Sequence, residues 1–169
     1  VALFDSLRAD AVTASPYLGG EALKPLLARP DTFVYVLCRT SNPGAREIQD
    51  LLIEQEPLYL HVARRAREWA GAAANVGLVV GATAPAELAR IRSALPELPF
   101  LIPGLGAQGG DVHAAREHGP AQAGPAASLR GGAMLVNVGR GIASAAAEGG
   151  DVAVALSEAV DRWAGTLQC

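Results

Sequence analysis

Short apolar runs alternate with helical patterns along most of the chain. Ala11 to Ala14, Phe33 to Leu37, Val76 to Val80, Phe100 to Ile102 and Met134 to Val138 are almost wholly apolar or β-branched, as strands covered on both faces are. Helical spacing follows. Leu23, Leu26 and Leu27 recur at one face, as do Leu88, Ile91 and Leu95, while Val152, Leu156, Val160, Trp163 and Leu167 step by three or four through a final helix. These stripes predict core-facing surfaces. Strand and helix in alternation predict βα units around a parallel sheet, and five such units are visible. Val1 to Leu7 reads as the end of a helix feeding the first strand, and the Gly/Pro/Ala stretch from Gly119 to Gly132 reads as an irregular loop. Five units are too few to close an eight-stranded barrel. From the pattern alone, an open doubly wound sheet stays as the alternative.

Composition narrows the partners. The chain has 169 residues, half of them apolar and 18% charged, which is enough to bury a core as one soluble domain. A formal charge of −3 without a basic block argues against nucleic acid and against an anionic membrane surface. No apolar run reaches the roughly 18 residues that span a bilayer, and no signal-peptide pattern opens the chain, so the reading is cytoplasmic. Cys38 and Cys169 are far apart and lack any paired Cys/His spacing, so both are expected as free thiols, with no metal. Lys24 is the only lysine, which leaves a lysine-dependent mechanism a single candidate within these residues.

The polar residues that carry chemistry cluster after the strands, at the end where parallel α/β sheets place their sites. After the second strand, Cys38-Arg39-Thr40-Ser41-Asn42-Pro43-Gly44-Ala45 offers Ser, Thr and Asn side chains for hydrogen-bonding a base or sugar, and the same residues make an ordinary turn. After the fourth, Pro103-Gly104-Leu105-Gly106-Ala107-Gln108-Gly109-Gly110-Asp111 leads into a helix. Glycines allow backbone N–H groups to approach an anion, and the helix N-terminus favours one. Gly104, Gly106 and Gly109 also spell the G-x-G-x-x-G of a dinucleotide-binding turn, but the acidic residue expected about 20 positions later is absent from Pro125 to Gly132. After the fifth strand, Gly139-Arg140-Gly141 places one planar guanidinium between glycines, suited to clamping phosphate oxygens. Two adjacent glycine-rich loops, one with Gln108 and one with Arg140, predict a phosphate site formed in part by Gly106, Gly109 and Gly139.

Four stretches then occur in a telling order: D-A-V-T-A-S-P-Y-L-G from Asp10 to Gly19, L-C-R-T-S-N-P-G-A from Leu37 to Ala45, V-G-L-V-V-G-A-T from Val76 to Thr83, and L-I-P-G-L-G-A-Q-G-G-D from Leu101 to Asp111. In combination they resemble the bacterial and archaeal branch of the orotidine 5′-phosphate decarboxylases, over nearly the whole chain. The resemblance implies a partial (β/α)8 TIM barrel of the ribulose-phosphate-binding type, with strands four to eight present. It implies that Ser41 contacts a pyrimidine, that Gln108 bridges towards the phosphate, that Arg140 binds the phosphate, and that Pro103 and Gly104 line the same pocket. It further implies conversion of orotidine 5′-monophosphate to uridine 5′-monophosphate and CO₂ in pyrimidine synthesis, no metal or organic cofactor, and active sites at a homodimer interface.

The departures from that family carry consequences of their own. The family's D-x-K-x-x-D segment, whose lysine protonates C6, would lie just before Val1. Lys24, in E-A-L-K-P, has no such surroundings and reads as a helix-start surface lysine. The chain alone is therefore expected to be inactive, an N-terminally truncated barrel lacking three βα units, because a carbanion without an adjacent cation loses the electrostatic stabilisation that dominates catalysis. Removing strands would also leave sheet edges open. Ser15 stands where relatives often have Asn, and Val138-Gly139 where polar residues usually precede the arginine. A nucleotide-phosphate binder without catalysis and a different phosphosugar barrel enzyme are the competing functions.

Overall fold

The computed structural model describes residues 2–147 and 149–167. Val1 and Cys169, expected above in a helix end and as a free thiol, lie outside them. Ala2–Ser6 forms one wide helical turn that buries Phe4. The succeeding elements are β1 (Ala11–Ala14), α1 (Gly20–Leu27), β2 (Phe33–Arg39), α2 (Ala45–Gln49), β3 (Leu52–Ile53), β4 (Glu56–Pro57), α3 (Leu58–Ala70), β5 (Val76–Val80), α4 (Pro85–Ala94), β6 (Phe100–Pro103), α5 (Val112–His118), α6 (Gly124–Ala127), β7 (Leu135–Asn137), α7 (Arg140–Ala143) and α8 (Val152–Leu167).

Five strands form one parallel sheet in the order β1-β2-β5-β6-β7, with Val34 opposite Val76, Leu78 opposite Phe100 and Ile102 opposite Val136. A doubly wound sheet would reverse its order at a switch point and carry helices on both faces. Here the order never reverses. Val34, Val36, Leu78, Val80, Phe100 and Ile102 project from one face into a core shared with Leu23 and Leu27 of α1, Leu60, Ala63 and Ala66 of α3, and Leu88 and Ile91 of α4. The opposite face holds Thr13, Leu37, Leu101 and Asn137, open or half-open to solvent. That is the arrangement of a (β/α)8 barrel segment, whose helices lie outside and whose interior faces the other way.

All five strands expected from the hydrophobic pattern are present, with ends shifted by a residue or two. β2 runs on to Arg39, through a bulge: Leu37 pairs with Val79 but Arg39 pairs with Val80, so Cys38 is the extra residue. A bulge puts two successive side chains on the same side of the sheet. Cys38 and Arg39 thus both turn towards the helices. The Cys38 thiol donates to the Tyr59 carbonyl at 3.2 Å, and burial raises its pKa. Arg39, only 3% exposed, reaches Asp50 just beyond α2, Nε to Oδ1 at 2.9 Å.

The β3–β4 hairpin was not expected. Its turn residues Glu54 and Gln55 both have positive φ, 49° and 68°, a conformation that Asn and Gly signal and Glu-Gln does not. The last helix also differs from expectation. Val152 and Val160 are 51% and 48% exposed, so they are not core. Its packed line passes instead through Leu156, Ala159, Trp163 and Leu167, because small Ala159, 1% exposed, is what lets α8 settle against its neighbours. Lys24 lies exposed in the body of α1 rather than at its start. No helix among the described residues is long and apolar enough to cross a membrane.

Arg92 of α4 holds the amino-terminal end of the sheet. It is 1% exposed, its guanidinium lies 3.7 Å from the Phe100 ring centroid, and it donates to the carbonyls of Leu95, Pro96, Leu98, His118 and Gly119 at 2.7 to 3.1 Å. Burial pushes its pKa down to about 10, so it stays charged at neutral pH. Arg92→Leu strands these carbonyls in an apolar setting, and we expect a loss of about 3 kcal/mol of stability, read as a lower denaturant midpoint at unchanged m-value. A loss under about 0.5 kcal/mol would show that the carbonyls find other partners.

Candidate functional site

Because the strands are parallel, the segments after β2, β5, β6 and β7 emerge at one edge of the sheet. The two glycine-rich loops meet there around a cavity of about 270 Å³. Pro103, Gly104, Gly106, Ala107 and Gln108 form one wall, and Asn137, Val138, Gly139, Arg140 and Gly141 form the other. The walls touch at their glycines: a Cβ built on Gly106 would lie 3.3 Å from the Gly141 Cα.

Ser41 joins this cluster from the β2 loop. Its hydroxyl donates to Gln108 Oε1 at 3.1 Å, which leaves the Gln108 NH₂ group as a donor on the other side of the amide. Gly104 makes the contact possible. Its φ is +99°, and a Cβ there would stand 2.8 Å from the Ser41 Cβ, so any larger residue would drive the two loops apart.

Most of the residues singled out from sequence come together, but the glycine loop works differently from expectation. Gly109 does not line the cavity; its φ is +68° and its N–H donates back to the Gly106 carbonyl at 3.0 Å. The N–H groups of Gly110 and Asp111 likewise go to Gly104 and Ala82 carbonyls, both at 2.9 Å. These amides stabilise the loop itself. The amino end of α5 is also taken, since the Asp111 carboxylate caps it by accepting from the Ala114 N–H at 2.9 Å. No pyrophosphate cradle of the dinucleotide-binding kind remains here.

Positive charge comes from Arg140, exposed at the start of α7 and engaged in no ion pair with the described residues. Gly139 lies in the wall with φ −77°, and a Cβ on it would meet only Asn137 Oδ1 at 3.7 Å, so nothing steric demands glycine there. Asn137, Thr83 and Gln49 were missed as contributors by sequence reasoning. Thr83 donates to the Ser41 carbonyl at 3.1 Å, and Gln49 bonds to Thr40; both act across loops, where no periodicity signals them. A larger and mostly apolar cavity of about 570 Å³ lies beside the β2 loop, lined among others by Ser15, Tyr17, Leu37, Ile48 and Tyr59. Thr40, Asn42 and Gln49 also line it, but no cation does, so the smaller one is the better candidate for a charged ligand. Ser15 itself caps a short turn by accepting from the Tyr17 N–H at 3.4 Å.

Comparison with known proteins agrees with this geometry. Residues 1–154 match the family described as orotidine 5′-phosphate decarboxylase / HUMPS. The chain is 57% identical over 142 residues to orotidine 5′-phosphate decarboxylase of Halorubrum lacusprofundi, covering 83% of this chain and 50% of that protein. Against the Cupriavidus necator enzyme of the same name it is 45% identical over 166 residues, covering 95% and 58%. Among solved structures, Leishmania donovani OMP decarboxylase superposes with a TM-score of 0.76 at 38% identity, covering 98% of this chain and 60% of that one. UMP synthase of the same organism gives 0.78 at 43%, covering 95% and 34%. The chain thus spans about half the length of the curated relatives it matches. With the family match running over most of its length and the parallel barrel segment beneath it, this chain belongs to the orotidine 5′-phosphate decarboxylase family.

Proposed function

We propose that this chain supplies the pyrimidine- and phosphate-binding half of an orotidine 5′-monophosphate decarboxylase. The observation that carries the reading is the single sheet edge on which Gln108 and Arg140 line one small cavity and Ser41 is hydrogen-bonded to Gln108. Ser41 and Gln108 form the neutral hydrogen-bonding end for the base, and Arg140 with the glycine walls forms the charged end for the phosphate. Pro103 and Gly104 shape the space between. In the reaction the bond between C6 and its carboxylate breaks, CO₂ departs, and C6 takes a proton to give uridine 5′-monophosphate.

No residue around this cavity can deliver that proton. Lys24 lies on α1, outside the cavity wall, and neither wall holds a carboxylate or a lysine. Catalysis therefore requires an Asp-x-Lys-x-x-Asp segment from outside these 169 residues, and the chain alone binds nucleotide without turning it over. The complete enzyme is a homodimer that needs neither metal nor organic cofactor.

Decarboxylation followed by the loss of ultraviolet absorbance, with this chain and with a version extended upstream through such a segment, tests the reading. Activity only in the extended protein is the expected result. Activity in this chain alone overturns the account of the absent lysine, and inactivity in both, with nucleotide binding retained, makes it a binding protein. In the active form, Arg140→Ala is expected to lower kcat/KM by about 10²-fold or more through lost phosphate binding. An unchanged kcat/KM would remove Arg140 from the site.

A further inference from the structure

Ser41 sits in a turn, residues 40–44, that belongs to no strand or helix, and a loop side chain is a poor recognition element unless something fixes it. The preceding residue, Thr40, is held at every polar atom. Its N–H donates to Gln49 Oε1 at 2.8 Å, and its hydroxyl oxygen accepts from Gln49 Nε2 at 2.8 Å. One amide thus grips two atoms of one residue. The Thr40 hydroxyl in turn donates to Asn42 Oδ1 at 2.6 Å, and the Thr40 carbonyl accepts from Arg39 Nη1 at 2.9 Å. Beyond this, the Ser41 carbonyl is tied to Thr83.

Gln49 is the last residue of α2, and the next residue, Asp50, anchors that end of the helix to buried Arg39. The bulge in β2 turns Arg39 towards Asp50, so the strand end and the helix end are tied together and Gln49 is aimed back at the turn. We infer that Gln49 is a positioning residue for the base end of the site: its two hydrogen bonds with Thr40 fix the turn so that the Ser41 hydroxyl meets Gln108. The inference rests on the nucleotide reading above and adds to it the device that sets selectivity for the base.

The test is binding of two probes to the full chain, uridine 5′-monophosphate and ribose 5-phosphate, which share a phosphate and differ by the base. With Gln49→Ala, affinity for the nucleotide falls about tenfold or more, the scale of a small misplacement of a recognising group, while affinity for ribose 5-phosphate is unchanged. Adding Ser41→Ala to Gln49→Ala then costs nothing further, because Ser41 has already lost its position. Gln49→Glu keeps the acceptor for the Thr40 N–H and recovers part of the loss. If Gln49→Ala does not fold, Thr40→Val, which removes only the hydroxyl half of the grip, shows the same division between the probes. Equal loss for both probes, no loss for either, or full additivity with Ser41→Ala overturns the positioning role while the nucleotide reading stands. A parent chain that binds neither probe overturns the nucleotide reading and this inference with it.

Discussion

In a parallel sheet every strand delivers its carboxyl end to the same edge, and the amide ladder spaces those ends by roughly 4.8 Å. The loops that follow have no freedom to sit elsewhere. Here the loops at that shared edge bring Ser41 against Gly104 and Gly106 against Gly141, contacts so close that side chains larger than hydrogen are excluded or crowded. The ladder holds because its central strand, β5, is buried at all five residues and pairs on both sides. The recognition surface is thus a by-product of strand pairing, tuned by one bulge and a few glycines.

The two ends of the sheet are held by different means. At the amino end, charged Arg92 and the Asn75 amide, which donates to the Arg29 carbonyl at 2.9 Å, satisfy main-chain carbonyls inside the core. At the carboxyl end the bonds run between polar side chains of half-exposed loops, such as Gln49 to Thr40 and Ser41 to Gln108. Such bonds are individually modest because water competes for them. Stability is concentrated at one end and recognition at the other, the division expected of barrels with their sites beyond the strand termini.

Sequence patterns revealed the parts whose burial is simple. Fully covered strands read as apolar runs, and Val76 to Val80 was found to the residue. Features that depend on a partner in space were invisible: the bulge at Cys38 exists only as a register against Val79 and Val80, and Gln49 matters only because Thr40 faces it. The helical stripe through Val152 and Val160 was regular but misleading, since apolar residues occupy more than one side of α8 and packing chose the line through Ala159. Ser41, Gln108 and Arg140 could be singled out because they are polar groups in the loops that follow apolar runs. The amino end of α5 read as open to an anion but is capped by Asp111, as a glycine-rich approach to a helix looks alike in either case.

That cap has a directional consequence. The Asp111 carboxylate lies where the β6 loop enters α5, outside the cavity lining, while Arg140 belongs to the cavity wall at the β7 end. The field along the sheet edge is therefore lopsided, unfavourable to an anion at one side and favourable at the other. On the proposed reading, a ligand with one charged and one neutral end would meet this edge as a keyed object, its charge towards β7 and its uncharged ring towards β2, before any hydrogen bond to Ser41 is made. On the proposed reading, reversed binding would leave the Arg140 guanidinium unpaired, so that charge would set orientation and the turn that follows β2 would set identity.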